Sequence, residues 1–252
     1  MNDAPPAPEP VIREVGFLRP FAWLRDGWLD LIAHPGPSLM YGLLVTLAGW
    51  AIVTLAAPHA ELFTSVVTGF VLIAPLIAAG IYELSRQREA GEPASFINSI
   101  KSLRRNISSI GDYGIVLILA GILWERVAAV MFALSYGGDL GDVQNFVREI
   151  FLSGNYWGVV IAWLVSGAVL STVIFSVTVI GMPMVIDRDA DVVTAMITSV
   201  RTVLRNLPAM AMWAGLIVLL TLLGMATAMV GLVVTMPLLG HATWCAYKDL
   251  IH

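Results

Sequence analysis

The sequence predicts an all-α membrane protein of about six transmembrane helices. They form three pseudo-repeats, each an interfacial amphipathic helix followed by a transmembrane hairpin. Three observations predict this. Of 252 residues, 58% are hydrophobic and 13% charged, with a mean hydropathy of +0.82, whereas soluble domains carry roughly a quarter of their residues as charges. Six apolar stretches reach the ~20 residues that a helix needs to cross the hydrocarbon core, over 38–57, 62–84, 113–134, 157–186, 208–226 and 228–247. A short basic segment also recurs ahead of the hairpins.

The chain is expected to begin with a disordered cytoplasmic tail, 1–14, followed by a single membrane domain, 15–252. Residues 1–10 hold four prolines, two acids and no basic residue, so they lack the positive start and apolar run of a secretory signal. The fourth stretch is longer than one crossing requires and must tilt or extend into the interface. The last two leave room for only a tight turn, near 225–228.

Basic residues stay on the cytoplasmic side of a membrane, and their distribution is lopsided. Of fourteen, Arg13, Arg19, Arg25, Arg86, Arg88, Lys101, Arg104, Arg105, Arg188, Arg201, Arg205 and Lys248 fall on one side of the six stretches. Arg148 falls on the other, and Arg126 within a span. Both termini are therefore expected in the cytoplasm, with the chain in a bacterial inner membrane.

Residues 99–106, Ser-Ile-Lys-Ser-Leu-Arg-Arg-Asn, match residues 199–206, Ser-Val-Arg-Thr-Val-Leu-Arg-Asn, in residue class at each position. Residues 27–34, Gly-Trp-Leu-Asp-Leu-Ile-Ala-His, form a weaker third copy. The second helix of each hairpin carries a proline in similar surroundings, Pro75, Pro183 and Pro237. Repeat units of about 17–89, 90–188 and 189–252 account for nearly the whole chain. A proline within a membrane helix removes a backbone donor and kinks it. Three such kinks either settle packing or line a central path.

The pre-hairpin segments are amphipathic. In the third, Val192, Val193, Met196, Ile197, Val200, Val203 and Leu204 share one face and Thr194, Thr198, Arg201, Thr202 and Arg205 the other. In the second, Phe96, Ile97, Ile100, Leu103 and Ile107 oppose Lys101, Arg104 and Arg105. The first sets Phe21, Trp23, Leu24, Trp28, Leu31 and Ile32 beside Arg19 and Arg25. Such helices lie among the headgroups or fold back onto the bundle. Arg19, Arg25, Lys101, Arg104, Arg105, Arg201 and Arg205 are accordingly the candidate contacts to lipid headgroups, serving either anchoring or anionic-lipid recognition.

Few residues invite chemistry. Glu125 and Arg126 fall near the middle of the third span, where each charge costs ~3 kcal/mol unless paired or wetted; alternatively the span is shifted and both lie near an interface, with Arg126 snorkelling. His241, one turn beyond Pro237, is a candidate ligand or proton relay, but no partner histidine shares a span with it. Residues 187–191, Asp-Arg-Asp-Ala-Asp, open like a calcium loop, yet Val192 and Thr198 stand where that loop needs glycine and glutamate. Capping of the following helix is the better reading. Gly154 and Gly158 give one GxxxG spacing. No nucleotide, hydrolase or zinc-protease motif is present, so neither a catalytic set nor a cofactor is expected. The single cysteine, Cys245, forms no internal disulfide or multi-thiolate site. A net charge of −4 offers nucleic acid no attraction.

From about Phe21 to the end, the chain resembles a bacterial family of predicted integral membrane proteins without an established function. The resemblance is carried by residues 28–41 with Pro35 and Pro37, by 83–86 (Glu-Leu-Ser-Arg), by 187–189 (Asp-Arg-Asp), and by 237–244 (Pro-Leu-Leu-Gly-His-Ala-Thr-Trp) with Tyr247. Some members bear the label of a cytochrome c oxidase subunit, which the resemblance extends to this chain. A catalytic oxidase subunit needs histidines for two haems and a copper, and this chain has four histidines, one of them in a span. What the label leaves is a non-enzymatic accessory or assembly role beside an inner-membrane, respiratory complex. The rival expectations are a small transporter or channel lined by the kinked helices and Glu125, and a lipid-binding protein acting through its basic helices. The bilayer is the one partner all three share.

Overall fold

In the computed structural model, residues 10–56, 60–135, 148, 150, 153–188 and 190–252 are described, and side chains of 56, 60–73, 132 and 135 are not. Among the described residues the elements are helical: α1 (Arg19–Ala33), α2 (Pro35–Ala56), α3 (Ala60–Glu89), α4 (Phe96–Leu103), α5 (Ile107–Ser135), α6 (Trp157–Thr178), α7 (Gly181–Arg188), α8 (Val192–Arg205), α9 (Leu207–Ala226) and α10 (Leu232–Leu250). A 3-10 turn, Arg104–Asn106, joins α4 to α5. Four helical runs are long and apolar enough to cross a membrane: Pro35–Leu55, Phe96–Met131, Trp157–Arg188 and Leu207–Ala226. These helices have no polar face, which requires lipid around them. On α5, for instance, Ile115, Ile118, Leu119, Ile122 and Leu123 are all more than half exposed.

The short helices bury a different face from the one their apolar residues mark. On α8 the buried stripe is Ala195, Thr198, Ser199, Thr202 and Val203, while Val193, Ile197 and Leu204 are exposed. Ser99 is likewise fully buried on α4 with Ile97 and Ile100 outward, and on α1 Trp23, Gly27, Asp30 and Leu31 face inward with Phe21, Trp28 and Ile32 outward. In a bilayer, apolar side chains gain nothing by leaving lipid, so small residues that allow close backbone approach take the packing face. On α4 and α8 the packing face is thus made chiefly of small residues, while on α1 Trp23 and Leu31 pack inward beside Gly27. Asp191 caps α8 by accepting from the Thr194 amide at 2.9 Å, as expected of that acidic run.

Both ends of the described chain meet at one end of the bundle. Residues 10–14 of the expected tail are tied down, because Ile12 forms an antiparallel bridge with Ile251; residues 1–9 lie outside the described residues. Asp249 accepts from Arg13 (2.8 Å), Arg19 (2.7 Å) and the Trp23 indole (2.9 Å). Asn206, 2% exposed, accepts from the Val15 amide (2.8 Å) and donates to the Arg13 carbonyl (3.0 Å). The Tyr247 hydroxyl donates to Asp187 (2.7 Å) and accepts from Arg188 (3.0 Å), and the Trp244 indole donates to Glu89 (2.8 Å). Asn106 donates to the Val185 carbonyl at 2.6 Å.

Burial alone would raise the pKa of Asp249, but hydrogen bonds from Arg19 and Trp23 and the charges of Arg19 and Arg13 hold it below the usual carboxylate range. A depressed carboxyl stabilises the fold above its unfolded value of about 3.9, and that contribution disappears as pH falls through the folded value. The thermal midpoint in detergent should therefore drop on acidification below about pH 4. In Asp249→Asn the drop should be smaller, since that carboxyl no longer takes up a proton.

Backbone breaks are met by side chains. Between α6 and α7, the Tyr113 hydroxyl donates to the Val177 carbonyl (3.2 Å) and the Ile180 amide donates to Ser199 Oγ (3.2 Å). Pro237 gives the Val233 carbonyl no amide to bind, and Gly42 of α2 sits against that carbonyl so closely that a Cβ would overlap it. At the opposite end, the α9–α10 turn over 227–231 holds Ala228 and Met229 at φ 51° and 67°. Thr46 and Trp50 of α2 donate to the carbonyls of Met229 (3.2 Å) and Ala228 (2.7 Å) there.

Candidate functional site

A chain of buried polar side chains runs between α1, α2, α3 and α10, centred on His241. His241 is 2% exposed, and Ser38 and Ser85 are 0% and 1% exposed. Each helix supplies a residue from its packing face: Asp30 from α1, Ser38 from the first turns of α2, Ser85 and Arg88 from the end of α3. Close approach of the backbones makes room for them. Gly240 leaves space for Ile81, and Gly27 lies against Ala242, where a Cβ would fall 2.5 Å from the Ala242 nitrogen.

Ser38 Oγ is 2.9 Å from His241 Nε2, and Ser85 Oγ is 2.7 Å from Nδ1. Ser85 Oγ also donates to Asp30 Oδ2 at 3.3 Å, and Ser38 Oγ to the His34 carbonyl at 3.1 Å. Asp30 pairs in turn with Arg88, and the His34 Nδ1 is buried without a hydrogen-bond partner among the described residues. Two residues before Ser85 on α3, Glu83, 1% exposed, binds Arg86 through both oxygens at 2.7 Å and accepts from Gln87 at 3.1 Å.

A serine beside a histidine near an aspartate has the parts of a nucleophilic site, but both hydroxyls are sealed from any substrate. Among the described residues no group of three or more His, Cys, Asp or Glu is placed to hold a metal. What the arrangement offers is proton exchange along a hydrogen-bonded chain.

Of the residues singled out from sequence, only His241 belongs to this cluster. Glu125 is half-buried and Arg126 exposed. Arg126 is the twentieth residue of α5, roughly 30 Å along the helix from Ile107. Pro75 and Pro237 lie inside α3 and α10, and Pro183 is the third residue of α7. Among the basic residues, Arg19 is engaged by Asp249, Arg25 by its neighbour Asp26 (2.9 Å), and Arg105 reaches Asn106 (3.2 Å) and the Ile186 carbonyl (3.4 Å). Lys101, Arg104, Arg201 and Arg205 are exposed. Gly154 stands at φ 80° ahead of α6, so the GxxxG pair does not form one helix face.

Asp30, Ser38, Ser85 and Arg88 were not legible as a site, because His241 reaches Ser38 across 203 positions and Ser85 across 156. The segments that carried the family resemblance do converge here: 83–86 and 237–244 meet at Ser85 and His241, and 187–189 meets Tyr247 through Asp187.

The family described as predicted integral membrane protein (DUF2189) matches residues 62–187, half of the chain. The chain belongs to that family. The DUF2189 match runs from α3 through the α5 and α6 helices to α7, so it includes Ser85 but not Ser38 or His241. No curated protein and no solved structure matches the chain. The protein is thus an integral membrane protein in contact with the bilayer, of a family whose function is unknown.

Proposed function

We propose that the chain is a six-span protein of the bacterial inner membrane, with both termini in the cytoplasm. We propose further that it acts as a non-enzymatic accessory or assembly component of an inner-membrane complex. The observation that carries the functional part is how unevenly the spans are covered. In the most apolar windows of α5 and α6 only 6% of residues are buried, against 33% in α2 and 22% in α9. The α5 and α6 helices therefore present a broad exposed apolar flank, in the manner of a subunit that docks by its hydrophobic side.

Three-unit architecture has support in recurring register. Counting from the repeated segments, Gly27, Ser99 and Ser199 correspond, as do His34, Asn106 and Asn206, and then Tyr41, Tyr113 and Trp213, all three aromatics buried. Tyr41 lies on Gly80, and its hydroxyl is 2.8 Å from Ser99 of the next unit. Tyr113 lies on Gly181, beside Ser199 of the unit after. Gly27 of the first unit meets Ala242 of the third, which closes a ring. In this reading the shared landmarks are Gly80, Gly181 and Gly240, and the three prolines kink their helices at different distances from them. Arg126 corresponds to Ala226, the last residue of α9, which sets Glu125 and Arg126 at the far interface rather than mid-membrane. Lys101, Arg104, Arg201 and Arg205 then face headgroups on the cytoplasmic side.

The test uses photo-crosslinking residues at Ile118 and Val165, both exposed, in cells expressing the tagged chain. A discrete heterologous membrane subunit should crosslink at these positions and co-purify in mild detergent; adducts to lipid alone, or to a second copy, would remove the accessory reading. With Cys245 replaced, Arg104→Cys and Arg205→Cys should be labelled from the cytoplasm only. Labelling from the periplasm would overturn the topology.

A further inference from the structure

Four hydrogen bonds meet around His241, and a neutral ring lacks the hydrogens to make them all. The His34 carbonyl and the ionised Asp30 carboxylate only accept. If Ser38 and Ser85 each donate outward, to the His34 carbonyl at 3.1 Å and to Asp30 at 3.3 Å, each offers the ring only lone pairs. Both ring nitrogens must then donate, and that is an imidazolium. With a neutral imidazole, one nitrogen has to take a serine hydrogen and one outer bond is given up. The cluster is complete when it holds one proton more.

We propose that His241 is a proton-binding site, loaded from the aqueous end of the bundle through Asp30 and Ser85. Before loading, Nε2–H donates to Ser38 and the Ser85 hydroxyl donates to Nδ1. A proton from water adds to the Asp30 carboxylate. The new O–H passes its hydrogen to Ser85 Oγ while Ser85 passes its own to Nδ1. Asp30 is left ionised again, the Ser85 hydroxyl now points at it, and the ring carries one positive charge. Only O–H and N–H bonds change, with no electrons exchanged. The entrance lies near the surface, since Asp30, its side chain 11% exposed, pairs with Arg88, whose side chain is 40% exposed. Of the groups around the ring, Asp30 on α1 favours the added charge, while the permanently charged Arg88 on α3 opposes it, as does His34 at the end of α1 when protonated. From α2 the ring faces Ser38, which does not titrate in this range, and Cys245 lies one turn along on α10.

Comparison with the other two junctions supports a dedicated site. In the proposed register, the residues after Gly80 and Gly181 are Ile81 and Met182, where the third unit has His241. Ile110 and Met210 stand where the first has Ser38. Polar side chains thus replace apolar ones at a single junction, although burying them costs stability unless every bond is made. This comparison uses the three-unit reading, but the hydrogen count does not, and neither depends on an accessory role.

The test is nitrogen NMR of the full chain, labelled at histidine, in lipid nanodiscs, with His241→Gln to assign the signal. Acidification should convert His241 to a form with both ring nitrogens protonated. Ser85→Ala and Asp30→Asn should each weaken proton binding about tenfold, moving the midpoint down by about one pH unit, and Ser85→Thr, which keeps the hydroxyl, should restore it. A ring that stays neutral at every pH where the protein remains folded would overturn the proposal. So would a midpoint unmoved by Ser85→Ala, which decides alone if Asp30→Asn does not fold.

Discussion

Gly42→Ala is expected to destabilise the protein by about 3 kcal/mol, the upper range for forcing a methyl group into a packed interface. The added carbon would overlap the carbonyl of Val233, a backbone group that no rotamer change can move aside. Relief requires α2 and α10 to separate, which strains the His241 cluster at one end of this seam and the Trp50 bond to the Ala228 carbonyl at the other. Gly215→Ala supplies the control. It lies in the middle of α9 with nothing within 4 Å of a built Cβ, so alanine should be neutral or stabilise by up to about 1 kcal/mol through helix propensity. Unfolding in mixed micelles by titration with a denaturing detergent measures both; equal stabilities for the two variants would show that the seam is loose.

Trp23→Ala is expected to cost about 4 kcal/mol, since a fully buried tryptophan leaves a large cavity behind. Trp23 is 1% exposed, meets Trp213 edge to face with ring centroids 5.9 Å apart, and donates its indole hydrogen to Asp249. It therefore fastens α1 to α9 and α10 together. Trp23→Phe keeps most of the apolar filling and loses the hydrogen bond, so about 1 to 2 kcal/mol should go. The same detergent titration reads this difference, and an alanine variant no weaker than the phenylalanine one would mean the cavity collapses without cost.

The spans were legible in the sequence because crossing lipid demands runs of apolar residues: 157–186 and 208–226 lie within helical runs long and apolar enough to cross, and 38–57 and 113–134 overlap the runs Pro35–Leu55 and Phe96–Met131. The span expected at 228–247 was harder to place. α10 is 19 residues long and holds His241, Thr243 and Lys248, and the buried His241 and Thr243 find their hydrogen bonds within the protein. For 62–84, the side chains up to 73 lie outside the described residues. Which face the amphipathic helices bury was misleading, since a reading by apolar stripe assumes water as the alternative solvent. Small residues at the recurring position, Gly27, Ser99 and Ser199, were the available signal. His241 was visible as a polar intruder in an apolar run, but Asp30, Ser38 and Ser85 are ordinary residues whose importance exists only through tertiary contact.

The pairing of α1 with α10, sealed by the bridge between Ile12 and Ile251, has a consequence for biogenesis. A ribosome delivers α1 well before α10, so Gly27, Asp30 and Ser38 lack their α10 neighbours until that helix has been made. Nascent chains halted before residue 232 should be left unfinished at that seam, a ready mark for quality-control proteases. Completion of α10 then acts as the clasp that gives α1 its packing partner.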